Sequence, residues 1–187
     1  MVIVDQLKQR SIAEYLLYMW QIEDLIRAYN RNIDELEKDY INKFQLTDKE
    51  HAEMKDWFES LIKMMELENA RKRGHLQINK NVIIRLADLH HELLKSPKYP
   101  EYGAEFYKTL PFIVELRAKA GKEPVGEIET CLNALYGTLI LRLKGKKISE
   151  GTETAMQQIS RLLAMLSKFY AMNEVKPIFE DNDDTQA

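Results

Sequence analysis

Residues 47–65, Thr-Asp-Lys-Glu-His-Ala-Glu-Met-Lys-Asp-Trp-Phe-Glu-Ser-Leu-Ile-Lys-Met-Met, decide the fold class. Thr47 and Glu50 stand three apart, the spacing at which a threonine hydroxyl accepts the backbone N–H of the glutamate while the carboxylate reaches back to the threonine N–H. Met54, Trp57, Phe58, Leu61, Ile62 and Met65 then recur at i, i+3 and i+4, one face of a helix with 3.6 residues per turn. Neither glycine nor proline interrupts the run. The pattern predicts a long amphipathic helix from Thr47 to about Arg73.

The same signals repeat on either side. Ser11-Ile-Ala-Glu14 predicts a helix to about Tyr29, with a short helix before it over residues 5–10. Asn32 to Phe44 carries Ile33, Leu36, Tyr40 and Phe44 on one side. Asn79 or Asn81 opens a helix with the stripe Val82, Leu86, Leu89 and Leu93, ending near Ser96-Pro97. Pro100 to Ala120 is helical, with a kink or break near Thr109 because Pro111 lacks a backbone N–H. Pro124 sits at the first position of a helix reaching about Leu143. The last helix, about Glu150 to Met172, carries Met156, Ile159, Leu162, Leu163, Leu166, Phe169 and Tyr170.

With 7 glycines and 5 prolines in 187 residues, turn signals are too sparse for a sandwich or barrel. The expectation is an all-α, single-domain bundle of about seven helices, mostly antiparallel because the connections are short. The helix near 125–143 is expected to be central and buried. Ile128, Leu132, Leu135, Leu139 and Leu143 lie on one face, and small residues Thr130, Ala134, Gly137 and Thr138 on the other. Residues 1–172 form the helical domain and residues 173–187 an acidic tail expected to be disordered.

Composition narrows the function classes. A net charge of −3 argues against a protein built to coat nucleic acid or an anionic membrane. Cys131 is the one cysteine, so no intrachain disulfide forms, which fits a reducing compartment. No signal peptide is recognisable, and the longest uncharged run, Thr130 to Leu141, is 12 residues, too short for a bilayer. The expected location is the cytoplasm, with no membrane association.

The chain has no G-x-S-x-G, Walker A, G-x-G-x-x-G, H-E-x-x-H or C-x-x-C motif. Asp48 with His51 and Asp88 with His91 share helix faces at i, i+3, but a bundle metal site needs carboxylates from facing helices, and no Glu-x-x-His motif supports one. No cofactor is expected. The ionisable residues that interrupt apolar faces are the candidates for a site. Glu23 projects into the stripe Ile12, Leu16, Met19 and Ile26, with Arg27 one turn on at its edge, where the two can pair. His90 falls between Leu86 and Leu93 on its stripe, either a functional imidazole or a core histidine bonded to a neighbour.

From Asn69 to Ala87 there is no acid, but Arg71, Lys72, Arg73, His75, Lys80 and Arg85 are present. That segment is a candidate phosphate- or nucleic-acid-facing surface. A simpler account is that cations complement a helix C-terminus closed by glycine, as in Ala-Arg-Lys-Arg-Gly74, Arg-Ala-Lys-Ala-Gly121 and Leu-Arg-Leu-Lys-Gly145. Lys80, near a helix start, is not covered by it.

Ile12-Ala-Glu-Tyr-Leu-Leu-Tyr-Met-Trp-Gln21 with Glu23-Asp-Leu-Ile-Arg27, the string from Gly74 to Arg85, and Thr109-Leu-Pro-Phe-Ile-Val-Glu-Leu-Arg-Ala-Lys-Ala-Gly121 with Pro124-Val-Gly-Glu-Ile-Glu-Thr130 together resemble domain-of-unknown-function family 4924 of Bacteroidetes. The resemblance covers nearly everything before Met172. It implies a bacterial cytoplasmic helical protein and carries over no catalytic residue.

The leading expectation is a protein-interaction or regulatory module, binding an unknown protein partner or itself. The alternative is a small-molecule or catalytic pocket built from Glu23, Arg27 and His90 or Arg117. A lesser alternative is phosphate or nucleic-acid binding through residues 71–85, which the overall charge disfavours.

Overall fold

The side chains of Asn32, Thr47 and Ser149 cap helix starts, and left-handed Asn30 and Asn69 follow helix ends. The computed structural model describes residues 2–120 and 125–179. Among them the fold is all-α: α1 Val2–Arg10, α2 Ile12–Ala28, α3 Ile33–Asp39, α4 Asp48–Leu67, α5 Gln77–Lys95, α6 Pro100–Ala120, α7 Glu127–Leu143 and α8 Glu150–Val175, with a 3-10 turn at Ile41–Lys43. Counting α1 there are eight helices where about seven were expected. The expected cap at Gly121, the placement of Pro124 and the end of the acidic tail from residue 180 lie outside the described residues.

The Thr47 capping box forms as read, with Glu50 N–H donating to Thr47 Oγ1 at 3.3 Å and Thr47 N–H donating to Glu50 Oε2 at 2.9 Å. Asn32 caps α3, its side-chain oxygen accepting the N–H groups of Asp34 and Glu35. α4 stops at Leu67, short of the expected Arg73. Asn69 takes φ 56° and Ala70 N–H reaches back to Met65 C=O at 2.9 Å, the bond that closes a helix through a left-handed residue. Asn30, at φ 51°, ends α2 likewise, with Arg31 N–H bonded to Ile26 C=O. Arg71, Lys72 and Arg73 therefore lie beyond α4, and the helix-dipole account of these cations does not apply to them.

Two further expectations change. α5 begins at Gln77, so Asn79 lies inside its first turn rather than capping it. Of the kink or break expected near Thr109, the break does not form, since α6 runs unbroken through Pro111. Pro111 is exposed, so the acceptor freed by its missing N–H lies on the solvent side, where water takes the bond.

The chain packs as two compact units, Met1–Arg10 with Glu14–Val82, and Ser11–Ala13 with Ile83–Ala187. In the first, buried Leu16, Met19, Trp20 and Ile26 of α2 join Leu36 of α3 and Phe58, Leu61 and Met65 of α4. In the second, α6 and α7 both pack against α8. α8 buries Met156, Ile159, Leu162, Leu163, Leu166, Phe169 and Tyr170. It takes the central place expected of the helix near 125–143. α7 is buried over Ile128, Cys131 and Leu132, but Leu135 and Leu139 are half-buried and Leu143 is exposed. Of the small residues on its second face, Thr130 and Thr138 are buried. Among the described residues no helix is long and apolar enough to cross a membrane.

Candidate functional site

In the first unit, Glu23 is fully buried on α2. A carboxylate there survives only with its oxygens bonded, and its partners come from one segment. Oε1 accepts the N–H of Leu76 at 2.9 Å and the side-chain amide of Asn79 at 2.7 Å, and Oε2 lies 2.6 Å from His75 Nδ1. Leu76 immediately precedes α5, so the carboxylate also sits at that helix's N-terminus, where the dipole favours negative charge. The His75 ring stacks on Trp20, centroids 4.1 Å apart and 15° from parallel. Tyr15 Oη donates to Asn79 Oδ1 at 3.4 Å.

Arg27 does not turn back to Glu23. Its Nε and Nη2 donate to Ala70 C=O at 3.3 and 3.1 Å, Nη2 also reaches Gly74 C=O, and Nη1 pairs with Asp24 at 2.8 Å. α2 thus carries two clamps on one connection. Arg27 satisfies the carbonyls of Ala70 and Gly74 within it, and Glu23 satisfies donors at its end. Glu68 Oε2 adds an acceptor for Gln77 N–H at 2.6 Å.

The second unit buries further ionisable groups. His90, 1% exposed, places Nδ1 2.6 Å from Tyr102 Oη, and its Nε2 lies 3.5 Å from Glu127 Oε2. Burial holds the imidazole below its ordinary pKa, opposed by the Glu127 carboxylate and reinforced by His91. Burial also raises the Tyr102 phenol, which stays protonated and donates to Nδ1. Cys131 is buried, its thiol pushed up to about 12 by burial and by Glu127. Arg117 is spent on the connection to α7, its Nε and Nη2 donating to Val125 C=O at 3.1 and 2.5 Å, with Glu127 at 4.0 Å.

The structure therefore brings Glu23, Arg27 and His75 together around one connection, and in the second unit sets His90 and Arg117 against the two oxygens of one carboxylate, Glu127. Arg85 pairs with Glu174 and lies 5.2 Å over the Tyr170 ring. Lys80 is exposed, as are Arg71, Lys72 and Arg73. His51 bonds Asn42 at 2.8 Å rather than sharing a ligand with Asp48, and Asp88 and His91 are both exposed. Among the described residues no group of three His, Cys, Asp or Glu is placed to hold a metal ion. A surface depression of about 680 Å³ at the end of α8, lined by Lys98, Met172, Val175 and Ile178 among others, borders none of the candidate residues.

One feature escaped the sequence reading. α6 buries Tyr102, Phe106, Thr109 and Ile113. On its opposite side Ala104, Tyr107, Pro111, Val114 and Ala118 are all exposed, Tyr107 at 68% and Val114 at 58%. Their spacing alternates three and four, the seam of a helix that pairs with another helix. Alanine and proline give this seam little hydrophobic weight, so the buried stripe masks it; exposure separates the two faces.

Residues 1–176 match the family model described as Domain of unknown function (DUF4924). No curated protein and no solved structure matches the chain.

Proposed function

We propose that this chain, which belongs to the DUF4924 family, is a non-enzymatic protein-interaction module that pairs with another polypeptide through the outer face of α6. The seam of Ala104, Tyr107, Pro111, Val114 and Ala118 carries the reading. A 3-4 repeat of exposed side chains with Tyr107 and Val114 in it suits a second helix laid along it. The ionisable groups that interrupt the apolar faces support it from the other direction, because Glu23 and Arg27 are bonded to neighbouring protein atoms and His90 Nδ1 is bonded to Tyr102. The one thiol, buried Cys131, fits cytoplasmic residence.

Photo-crosslinking in cells tests the reading. A photoreactive amino acid at position 107 or 114 should give discrete protein adducts, and the same group at exposed Lys168 should not. Equal yields at all three positions, or none at 107 and 114, would remove it.

A second reading has its own observation. Arg71, Lys72, Arg73 and Lys80 are exposed, no helix C-terminus accounts for the first three, and none forms an ion pair among the described residues. They support contact with phosphate. Binding to mixed-sequence RNA should then weaken steeply as salt rises; no binding, or binding indifferent to salt, ends this reading.

A further inference from the structure

We propose that the occupant of the α6 seam is a second copy of this chain, paired antiparallel about a two-fold axis at Pro111; this rests on the reading of α6 as an interaction face. An isologous contact needs a surface that complements itself after a half-turn. On an antiparallel helix pair that means each residue meets the one equally far from the axis on the other side. The seam meets the requirement. Ala104 is mirrored by Ala118 and Tyr107 by Val114, a large side chain against a smaller one, with Pro111 at the centre. The midpoints of these pairs fall within about one residue of Pro111, about 1.5 Å along a helix.

Charge selects the same axis. Lys108 and Glu115 follow Tyr107 and Val114 by one position and flank the seam on one side, at 67% and 62% side-chain exposure. In antiparallel pairing that flank faces its own copy, so Lys108 of each protomer meets Glu115 of its partner, twice per dimer. A parallel pair brings that flank against the opposite one, where Leu110 and Arg117 are half-buried, and offers no such match. Within the monomer Lys108 lies 3.6 Å from Glu105, and Glu115 lies 2.5 Å from Lys119. Such exposed pairs along one helix contribute little and can exchange partners. Alanines at both ends of the seam and proline at its centre allow the two backbones close approach.

One helix face from each copy makes an interface at the small end of specific contacts, so the dimer is weak and in fast exchange. Sedimentation velocity of the full chain from about 10 µM to about 1 mM spans that range of affinity. The average mass should rise from monomer toward dimer with concentration. Tyr107→Glu should weaken association at least about tenfold by placing a charge in the seam. Lys108→Glu and Glu115→Lys should each weaken it several-fold by setting like charges face to face. Lys108→Glu combined with Glu115→Lys should restore it, since the pair is re-formed with reversed sign. All three positions are exposed, and circular dichroism checks that each variant folds.

A wild-type chain that stays monomeric at the highest concentration overturns the proposal, as does a dimer indifferent to these changes or a double variant no tighter than the singles. Adducts at position 107 to a different protein, with a monomeric chain, would leave α6 as an interaction face and remove only the second copy. Absence of adducts would remove both.

Discussion

Replacing Glu23 by alanine tests the central claim about the first unit, that a buried carboxylate holds the connection between α4 and α5. The substitution removes the acceptor for Leu76 N–H, for the Asn79 amide and for His75 Nδ1. Leu76 and Asn79 are fully buried, so water cannot replace the carboxylate, and each orphaned donor costs about 1–3 kcal/mol. His75 is a quarter exposed and can turn to solvent, which makes its loss smaller. The lost anion at the start of α5 adds roughly 0.5 kcal/mol, and relief of the charge's own desolvation subtracts. The net expectation is about 3–5 kcal/mol, a large share of the roughly 5–15 kcal/mol that holds a typical protein folded. Urea titration followed by far-ultraviolet circular dichroism and by tryptophan fluorescence reads it, since Trp20 stacks directly on His75. Hydrogen exchange at Leu76 should accelerate as well. A loss below about 1 kcal/mol, with unchanged exchange at Leu76, would refute the clamp, because two buried donors cannot go unpaired so cheaply.

Three other expectations follow from single features. Burial holds His90 below its ordinary pKa, so the fold takes up its proton less readily than the unfolded chain does. The unfolded chain therefore binds the extra proton, and stability should fall as pH drops below about 6.5; His90→Gln should flatten that slope, and an unchanged slope would place its origin elsewhere. Asn69 sits at φ 56°, so Asn69→Ala should cost about 1 kcal/mol in denaturant titrations while Asn69→Gly costs little. Equal effects of the two would show that backbone strain is not the cause. Pro111→Ala restores a missing hydrogen bond on the exposed side of a continuous helix and should stabilise by about 1–3 kcal/mol in a thermal melt; destabilisation would mean that the ring is packed.

The elements were legible because their causes are local. Thr47 and Glu50 are three residues apart, and Met54, Phe58, Leu61 and Met65 are buried as the 3.6-residue period requires. The end of α4 was not, because asparagine and glycine both accept left-handed backbone and the chain offers Asn69 and Gly74 in succession. The interruptions at Glu23 and His90 were legible as anomalies, but their partners were not. From sequence the near neighbour for Glu23 is Arg27, one turn away; the actual partners lie 52 to 56 residues on. Asn79 illustrates the same limit, since a residue that commonly caps helices here serves a carboxylate on another helix. The apolar count on α7 suggested a central helix, yet centrality depends on which neighbours share the layer, and α8 is the helix on which both α6 and α7 pack.

The burial of Cys131 gives the second unit a built-in reporter. Its thiol is enclosed and pushed up to about 12, so at neutral pH it is neither ionised nor reachable. A thiol-modifying reagent can react only when the segment around α7 opens, and the labelling rate then measures how often that opening occurs. Because the chain has no other cysteine, the signal comes from one position without any mutation.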